Sequence, residues 1–148
     1  MNRRQKIIVA KFIAIIVITA ISAFAAIIVA WQVNCSEALR AMNLLSDRLL
    51  EYKDTYGALP PETYLDVILE DIQGNVRLGK LKYRAIWITL ESGPEEIIAY
   101  SEREFRSIST IKGFIVLRLN GDAEWMERKK FTALLESQQS QVEKLSLH

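Results

Sequence analysis

Hydrophobic and polar positions divide the chain into two regimes that meet near Trp31. From Phe12 to Trp31 the run FIAIIVITAISAFAAIIVAW contains no charge, Gly or Pro. At about 1.5 Å per residue it is long enough to cross the roughly 30 Å hydrocarbon core of a bilayer. Beyond it, SEALRAMNLLSDRLLEYKDTY sets Ala38, Met42, Leu45, Leu49, Tyr52 and Tyr56 at steps of three and four, one apolar stripe on a helix. No Gly or Pro precedes Gly57, so the pattern predicts a continuous helix from Phe12 to Tyr56 whose outer half lies on a folded domain. Asn34 and Ser36, both favoured N-caps, offer the alternative of a new helix after a short break. Gly57 ends the helix and Pro60-Pro61 prevents its resumption.

A second helix follows from Pro61 through ETYLDVILEDI, with Tyr64, Leu65, Ile68, Leu69 and Ile72 on one face and Gly74 closing it. The period then changes. In LKYRAIWITLE, Tyr83, Ala85, Trp87 and Thr89 alternate with Arg84, Ile86, Ile88 and Leu90, which predicts a strand covered on both faces. ESGPEE reads as a turn, EIIAYS as a weaker strand, and EREFRSIST as a polar connection without a clear period. GFIVLRL and AEWME read as the last two strands. Between them Asn120-Gly121 predicts a type I′ hairpin turn, which needs positive φ at both central residues. The chain closes with a helix, RKKFTALLESQQSQVEKLSL, carrying Phe131, Leu134, Leu135, Val142 and Leu145 at helical spacing and a Gln/Ser-rich second half expected to fray. The elements define an α+β fold: a long N-terminal helix packed on a small antiparallel sheet, then a C-terminal helix.

Charge gives the apolar segment a direction. The 148 residues carry a formal charge of +1. Four basic residues, Arg3, Arg4, Lys6 and Lys11, precede or edge the segment with no acidic residue among them, so the positive-inside rule keeps the N-terminus cytoplasmic. The remaining fifteen basic against eighteen acidic residues leave −3 beyond the membrane, which argues against a nucleic-acid partner. A secretory signal peptide is the rival reading of the segment, but its apolar region is longer than the usual 7–15 residues. Trp31 reads as an interfacial anchor. Ser22, Ala25, Ala26 and Ala30 are small enough to permit close helix contact and a homo-oligomer.

Candidate chemistry is sparse. The single histidine is His148, and the single cysteine, Cys35, lies four residues past the apolar run, so neither nucleophilic catalysis nor a zinc site has its residues in place. No glycine-rich phosphate loop occurs. Cys35 could cross-link two copies, but an incidental free thiol is the simpler reading. Glu95 with Glu96, and Asp122 with Glu124, could do acid–base work or hold calcium. Their setting in a turn and on a wet strand face favours plain solvation instead. Arg128, Lys129 and Lys130 start the last helix, the wrong end for its dipole. A solvated face accounts for them, with an acidic partner or lipid headgroups as the alternative. Trp87 and Trp125 are expected in strands, packed on the core. The composition therefore points to a non-enzymatic protein without a cofactor.

One N-in helix running into an exported domain with an antiparallel sheet resembles the type IV pilins and type II secretion pseudopilins. ALRAMNLLSDRLLEYKDTYGALPPE is similar to the stretch where their long helix ends at Tyr-Gly and proline, and FIVLRLNGDAEWMERKKFTALL is similar to their closing hairpin. The resemblance departs at the N-terminus. RRQKIIVAKFIAII lacks the prepilin cleavage glycine, and Lys11 stands roughly where the family's docking glutamate would be. It implies a single-pass component of a secretion or envelope assembly in a bacterial inner membrane. Residues 1–11 would stay on as a cytoplasmic basic terminus, 12–31 would span the bilayer, 32–136 would form a pilin-like periplasmic domain, and 137–148 a helical or disordered tail. Its partners would be the lipid bilayer and other membrane-helix or pilin-like subunits. A membrane-tethered periplasmic module binding a peptide, glycan or ion is the alternative function.

Overall fold

The computed structural model describes residues 2–89, 91–105 and 111–146, without the side chains of Trp31, Phe105, Ile111 and Ser146. Helix α1 runs unbroken over Arg3–Tyr56. Asn2 caps it with a capping box, its side chain and that of Gln5 each accepting from a backbone N–H at the helix start. Gly57, at φ 66°, ends it by donating to the Lys53 carbonyl. The break that Asn34 or Ser36 could have made does not occur. Ser36 turns its hydroxyl back to the Val33 carbonyl, and Asn34 accepts a hydrogen bond from Arg77.

Helix α2, Glu62–Asp71, lies beside the end of α1 and buries Leu65 and Ile68. A 3₁₀ turn at Asn75–Arg77 leads into strand β1, Leu81–Tyr83. Strands β2 (Ile97–Phe105), β3 (Ile111–Arg118) and β4 (Ala123–Glu127) complete an antiparallel meander in the order β1-β2-β3-β4. Helices α3, Arg128–Gln138, and α4, Gln141–Ser146, follow.

The sheet is covered on both faces. Ala38, Ala41, Met42, Leu45 and Leu49 of α1 meet Ile98, Ile115 and Leu117 of the sheet, with Leu65 and Ile68 of α2 closing the edge. On the other face Tyr100, Val116 and Met126 pack beneath Phe131 of α3, and the Phe114 and Phe131 rings stack with centroids 3.8 Å apart. A bulge in β2 reconciles the two layers. The register with β3 shifts between Ile97 and Ala99. Ile98 and Ala99 therefore both serve the α1 side, while Ile97 and Tyr100 serve the α3 side.

Several expectations need correction. The strand expected through LKYRAIWITLE stops at Tyr83: Arg84 takes φ −112°, ψ 14°, Ala85–Trp87 form a 3₁₀ turn, and Leu90 lies outside the described residues. Trp87 is thus not on a strand. The polar connection EREFRSIST is β2 as far as Phe105, its cross-strand pairing with β3 supplying the order that its sequence lacks; residues 106–110 lie outside the described residues. The closing helix breaks at Gln139 (φ −75°, ψ 132°), and beyond the break the apolar Val142 and Leu145 are exposed while Glu143 is buried.

Asn120-Gly121 does sit in the β3–β4 connection, but not as a type I′ turn, because no residue other than glycine has positive φ among those described. Arg118 N–H donates to the Asp122 carbonyl across a three-residue loop, Gly121 N–H donates to the Arg118 carbonyl, and Gly121 alone takes a positive φ of 95°. Asn120 Oδ1 accepts from the Asp122 N–H, which fixes the loop locally. Ser46 of α1 donates to the Gly121 carbonyl at 2.9 Å, so the turn is clasped to the long helix. A Cβ at Gly121 would lie 3.0 Å from Leu50 and 3.2 Å from Ser46. Gly121→Ala is therefore expected to lower the unfolding free energy by about 1–3 kcal/mol. Gly93→Ala, at a position with no positive φ and no atom within 4 Å, should change it by less than about 0.5 kcal/mol. Denaturant titration of both variants checks the contrast.

Candidate functional site

Among the described residues, nothing packs against the first half of α1. Isoleucines, valines and phenylalanines from Ile7 to Val33 are exposed around the whole helix, and the segment is long and apolar enough to cross a membrane. Its two hydroxyls are satisfied inside the helix: Thr19 donates to the Ile15 carbonyl and Ser22 to that of Ile18, both at 2.9 Å. Such back-bonding removes the cost of an unpaired hydroxyl in an apolar medium. Arg3, Arg4, Lys6 and Lys11 are all exposed on the first turns of α1. Cations in the first turn of a helix oppose its dipole by about 0.3–1 kcal/mol each, so helix stability does not explain Arg3, Arg4 and Lys6.

The folded domain grips α1 just past this segment. The Arg77 guanidinium pairs with Glu37 at 3.0 Å and donates to Asn34 Oδ1 at 3.2 Å. Cys35 sits between these contacts, half-buried and free. Burial raises its thiol pKa, which keeps it protonated at neutral pH and a poor nucleophile.

The acidic pairs weighed in the sequence are held in ion pairs and turns. Arg118 bridges Glu95 and Glu124, and Asp122 is bound by Asn120. Glu96 stands 3.8 Å from the Arg84 guanidinium. Among the described residues, no three His, Cys, Asp or Glu side chains gather closely enough to hold a metal ion; His148 lies outside them.

Sequence reasoning missed two features. The first is a buried ion pair. Arg84 Nε and Nη2 donate to the two carboxylate oxygens of Glu143 at 2.6 and 2.9 Å, and Nη1 donates to the Ile97 carbonyl at 2.6 Å beside the β2 bulge. The fork joins β1's end, the bulge and α4 in one bidentate contact. Burial alone would raise the Glu143 carboxyl, but hydrogen bonds and charge from Arg84, helped by Gln139 and Lys144, bring it below the ordinary carboxylate range. The signal was an arginine inside an apolar run, whose partner lies 59 residues away. The second is an open cleft of about 380 Å³ between α1 and α2, at the far end of the domain from the bare segment. Tyr52 stacks obliquely on Tyr56 and Tyr64, with centroids 4.4 and 5.0 Å apart, and Arg48, Glu51 and Asp71 supply polar groups at the rim.

No protein-family model, curated protein or solved structure matches this chain.

The Arg84–Glu143 pair makes stability depend on acid. A carboxyl whose pKa is lower when folded contributes stability above its unfolded value of about 4.3 and loses it as pH falls through the folded value. The melting temperature should therefore drop as pH is lowered below about 4, and less of that drop should remain in Glu143→Gln. At neutral pH, Arg84→Ala or Glu143→Gln should cost about 3–5 kcal/mol by stranding a buried charge, whereas Arg84→Met with Glu143→Leu should be near neutral. Thermal melts of the four proteins across pH distinguish these outcomes.

Proposed function

We propose that this protein is a non-enzymatic, membrane-anchored structural component, pilin-like in layout, that joins a secretion or envelope assembly through its long helix. The observation carrying the proposal is the continuity of α1: one hydrogen-bonded helix is bare and apolar at one end and forms the core of a folded domain at the other. A helix of that kind serves as anchor and strut together. Its apolar half is a surface that lipid or other membrane helices can cover, and its other half holds the domain at a fixed height. Arg3, Arg4, Lys6 and Lys11 orient it with the N-terminus in the cytoplasm and the domain in the periplasm. The resemblance to pilins and pseudopilins supports the reading, and the missing cleavage glycine makes this a subunit that keeps its N-terminal segment. Replacement of the family's glutamate by Lys11 implies a different docking partner from that of ordinary filament subunits.

Packing through the helix predicts a face. Ser22, Ala26 and Ala30 recur every four residues with Ala25 beside them, whereas Phe24 and Ile28 point to the opposite side. With Cys35 replaced by Ser, single cysteines at 22, 26 and 30 should form oxidative cross-links in native membranes, and those at 24 and 28 should not. Equal yields at all five positions, or none at any, would contradict packing by this face.

A further inference from the structure

We infer that the end of the domain nearest the bare helix is a second membrane contact, built to rest on anionic lipid headgroups. The inference depends on the anchored reading of α1 and adds to it a surface of the folded domain. Height along α1 comes from the contacts. Arg77 binds Asn34 and Glu37, three and six residues past Trp31, or about 5 and 9 Å of helix. The headgroup layer on each side of a bilayer is roughly 5–8 Å deep. Whatever lies level with Arg77 is therefore at the membrane surface.

Val76 lies there, on the 3₁₀ turn, 84 % exposed. It is flanked by two guanidiniums: Arg77 follows it in the chain, and Arg103 donates to its carbonyl at 3.2 Å. Sheet register carries the same level across the domain, since Arg103 pairs with Gly113 and Gly113 with Glu127. Helix α3 begins at the next residue, so Arg128, Lys129 and Lys130 stand at this end too. With Lys80 and Lys112, seven basic residues among those described gather here against four acidic ones, Glu37, Glu102, Glu104 and Glu127, although residues beyond Trp31 as a whole carry −3. Three of those acids are already paired within the rim, with Arg77, Arg128 and Lys112. Burial and the neighbouring Arg77 also lower the pKa of Arg103, a repulsion that a phosphate between the two would relieve.

An exposed apolar side chain ringed by cations fits a headgroup layer, where the side chain enters the interface and the cations meet phosphate. It also accounts for the basic run at the wrong end of α3. The opposite end of the domain supplies a control. Tyr83 bonds the Pro60 carbonyl there, and Ile86, 77 % exposed, lines a cleft with Leu59, Pro60 and Pro61.

The test uses the full chain with Cys35→Ser, reconstituted in vesicles of phosphatidylcholine with or without phosphatidylglycerol. An environment-sensitive fluorophore is placed in turn at Val76→Cys, Ile86→Cys and Phe24→Cys, and nitroxide lipids serve as quenchers. The Val76 probe should be blue-shifted and quenched in the anionic vesicles, less so at high salt or with Lys129→Glu and Lys130→Glu, while the Ile86 probe remains aqueous. A Val76 probe as wet as that at Ile86, with the Phe24 probe quenched, would overturn the headgroup contact and leave the anchor standing. An unquenched Phe24 probe would overturn the anchor itself. Quenching at Val76 that ignores phosphatidylglycerol and salt would remove the anionic recognition. Shielding found only in native membranes would replace lipid with protein as the partner.

Discussion

The stripe Ala38, Ala41, Met42, Leu45 and Leu49, buried against Ile98, Ile115 and Leu117 of the sheet, is the contact on which the rest of the structure depends. Of these, the large side chains Met42, Leu45 and Leu49 and their sheet partners each contribute about 1.5–3 kcal/mol when removed from water, while Ala38 and Ala41 let the helix approach the sheet closely. Because the stripe belongs to the same helix as the bare segment, it also fixes how the domain stands relative to that segment. A helix interrupted at Asn34 or Ser36 would leave the two halves free to swivel. Instead Ser36 is turned back on the helix, and Arg77 binds Asn34 and Glu37 where the two regimes meet. The hairpin loop is held to the same strut by Ser46, so α1 is tied to the domain both at the 3₁₀ turn and at the β3–β4 loop.

A second tie, from Arg84 to Glu143, works on the far face. It holds α4 to the sheet through a charge pair rather than an apolar stripe, which is why Val142 and Leu145 are left in solvent. A buried ion pair is weak evidence of net stability, because desolvation offsets much of its Coulomb energy. Its specificity is clearer. Only one carboxylate geometry satisfies the Arg84 fork while Nη1 meets the carbonyl of the residue before the β2 bulge. The pair therefore fixes the bulge and the chain's last helix in mutual register.

Much of this was legible in the sequence where the signal was local. The α1 stripe was readable because 56 residues pass without a helix breaker and its period is regular. Gly57, Pro60 and Pro61 marked its end for steric reasons that need no tertiary context. Where long-range contacts decide, the pattern misled. RAIWI alternates like a strand, yet Arg84 turns out of the sheet toward a partner in α4. Val142 and Leu145 repeat at helical spacing, yet Glu143 between them is the buried residue. Asn120-Gly121 announced a hairpin correctly but not its geometry, because Asn120 bonds the Asp122 N–H and Gly121 docks on Ser46. The tyrosine cleft required knowing that α2 folds back beside the end of α1. The basic run at Arg128 was visible as an anomaly, and only the register of the strands places it level with Val76.

Everything the domain's position depends on requires α1 to be one rigid helix through the boundary between its bare and docked halves. Spin labels at Phe24→Cys and Asp47→Cys, in the full chain with Cys35→Ser in lipid nanodiscs, test it by pulsed dipolar spectroscopy. An unbroken α1 gives a narrow distribution centred about 35 Å apart, 23 residues of helical rise. A broad distribution, or one centred well below that distance, would show a hinge between the two halves and contradict a single rigid strut.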